Sequence, residues 1–164
     1  MKKQTRIYNV LFPIWLIWLF PQVLILVLPG NLAIDCAVLF LTLLALKHAQ
    51  KGAVVKKLWW KFWLLGFAAD LMGTAWMFLG WLLAIPFEDF WDDTLVYIMH
   101  DPFGHPLAFL WTLAGVAAAG ACIYCFDRRA MRELELLSHR EKHIVALAMA
   151  IATAPWLFFL PMYP

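Results

Sequence analysis

From Ile7 to Leu28 the chain runs for 22 residues without one charged side chain. A helix of about 20 apolar residues crosses a hydrocarbon core of about 30 Å, so this run is read as a membrane span. Four further apolar runs follow, Leu32 to Leu46, Leu58 to Phe87, Pro106 to Phe126 and Ile144 to Leu160. The expected fold is therefore an all-α integral membrane protein: a bundle of five transmembrane helices forming a single transmembrane domain over residues 1–164. No internal repeat, low-complexity tract or second domain interrupts it.

Composition narrows the class further. Hydrophobic residues make up 65% of the chain and charged residues 15%, against about 45–50% and 25% in soluble domains. A mean hydropathy of +0.77 excludes a disordered chain, a coiled coil and a soluble enzyme with a polar shell. Three cysteines cannot all pair with one another, which argues against a secreted disulfide scaffold. The net charge of +2 leaves no footprint for nucleic acid. The expected partner is the lipid bilayer, with a second copy of the chain or a partner membrane protein beside it.

Between the first two runs, Pro29, Gly30 and Asn31 combine a helix stop, a residue free to take positive φ and a good N-cap. That triplet predicts an immediate reversal and a tight hairpin. Charge placement gives the orientation, because Lys and Arg accumulate in short cytoplasmic loops. With the N-terminus inside, all 13 basic residues fall on the inner side. They are Lys2, Lys3 and Arg6, then Lys47, Lys51, Lys56, Lys57 and Lys61, and finally Arg128, Arg129, Arg132, Arg140 and Lys142. The outer side carries Glu88, Asp89, Asp92, Asp93 and Asp101. The expected topology is N-in and C-out across a cell membrane, with the first segment retained rather than cleaved as a leader.

The loops carry local signals as well. Phe87, Phe90, Trp91, Leu95, Ile98 and Met99 recur at helical spacing with acids opposite, which predicts an amphipathic helix lying on the outer interface and ending at Asp101-Pro102. On the inner side, Arg129 and Glu133 are spaced to pair on a helix continuing from the fourth span. Ser138 and Glu141 form a capping-box pattern opening the fifth.

Ionisable groups inside a span cost roughly 2.5–3.5 kcal/mol on insertion scales and normally face a cavity or a partner helix. Asp35 and Asp70 are such groups. Asp35 falls four residues after the Asn31 cap, where free backbone amides and the helix dipole also favour a carboxylate. Asp70 falls near mid-membrane among Gly66, Ala69, Gly73 and Gly80, small residues that let another backbone approach closely. Thr42, Thr74 and Thr153 are expected at similar depth, and with Asp70 they make the candidate ion- or solute-binding cluster. Asp35, with Thr112 at its level, is the candidate outer member, about 15 Å from Asp70 in depth.

Other chemistry-bearing residues are fewer. His100, Asp101 and His105 are candidate ligands for a transition metal. His139 and His143 have the spacing of two ligands on one helix turn, and His48 has no visible partner. Cys122 and Cys125 have the spacing of a redox pair, but they belong to a helix of small residues where packing explains them. Trp59, Trp60 and Trp91 suit the headgroup belt, and Trp76 and Trp111 the core. No nucleotide-binding loop, nucleophile elbow or zinc-protease pattern is present, so no catalytic residue and no cofactor is assigned.

These features point to a small transport protein or transport subunit that passes protons, small cations or a small solute between helices. The alternative is a non-catalytic accessory or scaffold subunit that binds partner helices through its small-residue faces. An enzyme is the least favoured class, because almost no extramembrane domain remains to hold a soluble substrate.

Overall fold

A computed structural model describes residues 21–84 and 88–161. Most of those residues are helical, with no strand among them: α1 Pro21–Ala45, α2 Lys51–Ala84, α3 Glu88–His100, α4 Pro106–Ala130 and α5 His139–Ala152. Short 3₁₀ turns follow α3, at Pro102–Gly104, and α5, at Trp156–Phe159. Among the described residues, four helices are long and apolar enough to cross a membrane: Ile25–Ala45, Lys51–Leu83, Pro106–Ala130 and His139–Phe159.

The expected reversal at Pro29-Gly30-Asn31 is absent. Helix α1 runs straight through it with Pro29 inside, and no described glycine has positive φ. A transmembrane helix tolerates proline because neighbouring helices satisfy the backbone groups it disturbs. Close to Pro29, the indole of Trp63 donates to the Leu28 carbonyl at 2.9 Å and ties α2 to α1. Asn31 does not cap a helix but spends its side chain on α2. The first two expected spans are therefore not separated where the sequence suggested. The rest of the first, Ile7 to Phe20, lies outside the described residues, as do Lys2, Lys3 and Arg6 and the expected position of the N-terminus.

The real helix end comes later, and an unexpected residue makes it. Lys47 adopts φ 53°, its N–H donates to Leu44 O at 2.9 Å, and His48 N–H donates to Leu43 O at 3.0 Å. These are the paired bonds of a left-handed helix C-terminus, a place glycine usually takes.

Other boundaries shift for local reasons. Helix α2 starts at Lys51 rather than Leu58, since Val54 and Leu58 already bury an apolar stripe. Helix α4 continues to Ala130 and ends there, capped by Met131. The expected helical continuation to Glu133 does not form, and no ion pair joins Arg129 to Glu133 among the described residues. Helix α5 opens on the expected capping box: Ser138 Oγ accepts from Glu141 N, and Ser138 N donates to Glu141 Oε2 at 2.8 Å. It closes at Ala152, short of the expected Leu160, because Pro155 disfavours helix at the residue before it, and the 3₁₀ turn carries the chain onward. The segment expected to form an outer amphipathic helix is helical and ends before Asp101-Pro102.

Helices α1, α2, α4 and α5 pack in a closed ring, α1 on α2, α2 on α4, α4 on α5 and α5 on α1, with α3 across α2 and α4. Small residues set the α2–α4 distance. A Cβ added at Gly73 would meet Ala119 Cβ at 3.2 Å, one at Gly80 would meet Trp111 Nε1 at 2.9 Å, and one at Gly115 would meet Trp76 Cδ1 at 2.9 Å. Trp76 and Trp111 stack with centroids 4.7 Å apart, and the Trp76 indole donates to the Trp111 carbonyl at 3.1 Å. These two tryptophans are half-buried and pack against the core around Met77 and Val116.

The core has two parts. One, near the α1–α2 and α4–α5 connections, contains Leu39, Leu43, Leu58, Phe62, Ile123 and Val145. The other, near α3, contains Met77, Ile98, Ala108, Val116 and Phe158. Helix direction alternates around the ring, so every described lysine and arginine gathers at the first end.

Candidate functional site

Four-residue steps along α1 bury Asp35, Leu39 and Leu43, the stripe that a helix turns toward its neighbours. The buried stripe of α4 is Ala108, Thr112, Gly115, Val116, Ala119, Ile123 and Asp127. The same geometry that fills the core with apolar side chains thus carries a carboxylate inward on each helix. Asp70 on α2 follows fully buried Ala69. Asp35, Asp70 and Asp127 are 6%, 7% and 1% exposed.

The three carboxylates face the bundle interior from three different helices. Asp35 packs against the bare backbone of Gly66, where an added Cβ would meet its Oδ2 at 3.4 Å. It lies within electrostatic reach of both Asp70 and Asp127. Because Gly66 and Asp70 are four residues apart on α2, Asp35 sits about one turn, or about 6 Å, from Asp70 in depth. The expected offset of about 15 Å is corrected accordingly. Asp70 Oδ2 accepts from Asn31 Nδ2 at 3.4 Å. Its Oδ1 and both oxygens of Asp127 are buried with no hydrogen-bond partner among the described residues, nor is any of the three acids in an ion pair there.

None of the three threonines expected around Asp70 donates to its carboxylate. Thr42 donates to Val38 O at 2.7 Å, Thr74 to Asp70 O at 3.0 Å and Thr153 to Met149 O at 2.9 Å. Each hydroxyl bonds back to its own helix, a common refuge for threonine in an apolar setting. Thr112 is fully buried with its Oγ1 unpartnered among the described residues.

Two residues of this site are not marked by the sequence pattern. Asn31 reads as part of a turn. Asp127 reads as wet inner loop because Arg128 and Arg129 follow it, although the four-residue spacing from Ala119 through Ile123 makes it an inward position.

The remaining candidates have other partners. Asp101 Oδ1 accepts from Phe103 N at 3.1 Å, and the His105 ring stacks on Tyr97 at 5.6 Å. Among the described residues no group of three or more His, Cys, Asp or Glu is placed to hold a metal ion. His139 and His143 go to different neighbours, Arg128 and the Tyr124 hydroxyl. His48, which showed no partner in the sequence, meets Glu141 at 3.0 Å and ties the α1–α2 connection to the start of α5. Cys36, Cys122 and Cys125 are free thiols.

Neither a family model nor a curated protein nor a solved structure matches this chain.

Proposed function

We propose that the protein moves protons or small cations through the interior of its helix ring, using Asp70, Asp35 and Asp127. The observation that carries this reading is the convergence of three buried carboxylates from α1, α2 and α4, with oxygens left unpartnered at Asp70 and Asp127. A buried carboxylate with no cation beside it must take up a proton or bind a small cation, since a bare charge in an apolar interior is too costly. Gly73 faces Ala119, so the antiparallel register brings Asp127 opposite Gly66, level with Asp35. Asp70 lies about one turn, or about 6 Å, from that pair, and the interior thus offers two stations. Asp70 lies about 21 Å along α2 from Ala84 and Asp127 about 4.5 Å from the end of α4, so the two run from mid-membrane toward the basic end.

In this reading the lysine- and arginine-rich end is cytoplasmic, as positive-inside placement requires, and α3 rests on the opposite interface. The pathway need not be a wide pore. Proton transfer between carboxyls asks only for brief bridging water, which the threefold polarity of the interior favours over a wholly apolar seam. A second copy of the chain would seal the lipid-facing sides.

One observation favours the scaffold alternative. The Asn31–Asp70 hydrogen bond joins α1 to α2 in the manner of an acid retained to lock helix packing. Purified protein in liposomes that trap a pH-sensitive dye separates the two readings. Under an imposed potential, wild-type vesicles should change internal pH faster than protein-free vesicles, and Asp70→Asn should abolish the difference. A wild type no more permeable than bare lipid would defeat the transport reading and leave the accessory role.

A further inference from the structure

At the basic end, where α2 begins and α4 finishes, a cavity of about 490 Å³ is lined by Lys57, Lys61, Arg129, Arg132 and Glu133 over an apolar wall that includes Leu58. Four cations thus face one carboxylate. Among the described residues no ion pair neutralises any of them, the one there being His48 with Glu141. Lys61 keeps its ammonium 5.7 Å from the Trp60 ring centroid, a cation–π placement that holds the side chain near the apolar boundary. Like charges crowded this way repel one another unless an anion sits among them. The two arginines add forked donors that suit the tetrahedral oxygens of a phosphate.

A second observation shows what else the ligand should carry. Lys57 and Lys61 are one turn apart, and the same face of α2 continues through Leu64, Ala68, Leu71, Ala75 and Phe78. Leu64, Leu71 and Phe78 are 54%, 48% and 42% exposed, with the two alanines leaving shallow gaps between them. A charged cavity whose Lys57 and Lys61 head the same helix face as this apolar track fits an anionic head joined to hydrocarbon. Basic pockets between helices at the cytoplasmic surface bind lipid headgroups by this logic.

We propose that this cavity is a binding site for the phosphate headgroup of an anionic phospholipid, whose acyl chains lie along the Leu64–Phe78 face of α2. The site is separate from the interior carboxylates and does not depend on their role.

Native mass spectrometry of the protein released from mixed phosphatidylglycerol and phosphatidylcholine micelles tests it. Wild type should retain phosphatidylglycerol in preference to phosphatidylcholine. The double variants Lys57→Gln with Lys61→Gln, and Arg129→Gln with Arg132→Gln, should each lower that retention by roughly thirtyfold, given about fivefold for each basic residue at an anionic surface. Arg140→Gln, exposed at the same end but outside the cavity, should leave it unchanged. Circular dichroism of each variant checks that the helices persist, and the two doubles act from different elements, so damage to one leaves the other to decide. Equal retention by the double variants, or an equal loss with Arg140→Gln, overturns the site. Displacement of the lipid by inorganic phosphate alone at millimolar concentration would reassign the cavity to a free anion and overturn the lipid assignment.

Discussion

Asn31 on α1 donates a hydrogen bond to Asp70 on α2 at 3.4 Å, joining the two helices where the sequence had suggested that the chain turns back. The bond satisfies one carboxylate oxygen while its mate, Oδ1, has no partner among the described residues. Replacing Asn31 by Ala leaves the whole carboxylate without a donor, at a cost of about 1–3 kcal/mol. Thermal unfolding in detergent should register that loss. In an Asp70→Leu background the same substitution should cost far less, because no buried acceptor remains to be abandoned. Equal losses in both backgrounds would show that the pair does not interact.

The two glycines Gly30 and Gly115 should respond in opposite directions. A Cβ at Gly30 meets nothing within 4 Å, and the residue is inside α1, so Gly30→Ala should stabilise by roughly 0.5–1 kcal/mol. Gly115→Ala would drive a methyl to 2.9 Å from Trp76 Cδ1 and should destabilise by about 1–3 kcal/mol. The first substitution also probes α1 itself: a hairpin with positive φ at Gly30 would make alanine unfavourable there.

Much of this architecture was legible before any coordinates, and the reasons are physical. Apolar runs must cross lipid as helices, so the class, the gathering of the basic residues and the Ser138–Glu141 cap all followed from pattern. Asp35 and Asp70 stood out because charge in an apolar run has no inexpensive explanation. Pro29-Gly30-Asn31 misled because its turn chemistry is a soluble-protein rule, whereas in an apolar setting a turn exposes backbone groups that a continuous helix keeps paired. Asp127 was hidden by its neighbours: Arg128 and Arg129 read as loop, yet a helix buries one side chain and exposes the next. The His48–Glu141 contact spans 93 positions, a separation that no local pattern encodes.

Lys47 supplies a third prediction. It holds φ 53° at the end of α1, a conformation that costs a non-glycine residue about 1–2 kcal/mol. Lys47→Gly should therefore raise stability by roughly 0.5–1 kcal/mol after the added freedom of the unfolded chain is counted, read as a higher unfolding temperature. A fall would show that the Lys47 side chain holds the connection more firmly than its backbone strains it.

At the start of α5, Glu141 serves two partners, the Ser138 cap and His48. Ser138→Ala should cost about 1 kcal/mol as an ordinary cap loss. Glu141→Ala should cost more, since it also strips His48 of its contact and frees the α1–α2 connection from α5. Hydrogen exchange resolves the difference: faster exchange at residues 46–50 is expected for Glu141→Ala and not for Ser138→Ala. Identical exchange in the two variants would remove His48 from the account.

The interior carboxylates are the centre of this reading, and Asp127 is the most informative of them because it lies at the basic end, 1% exposed and with both oxygens unpartnered among the described residues. The direct measurement is proton flux through reconstituted Asp127→Asn beside wild type, at matched protein content and helix content. The relay predicts measurable wild-type flux that falls at least about tenfold in Asp127→Asn, the scale on which a lost proton-transfer group is felt. Flux in the variant equal to wild type would contradict it.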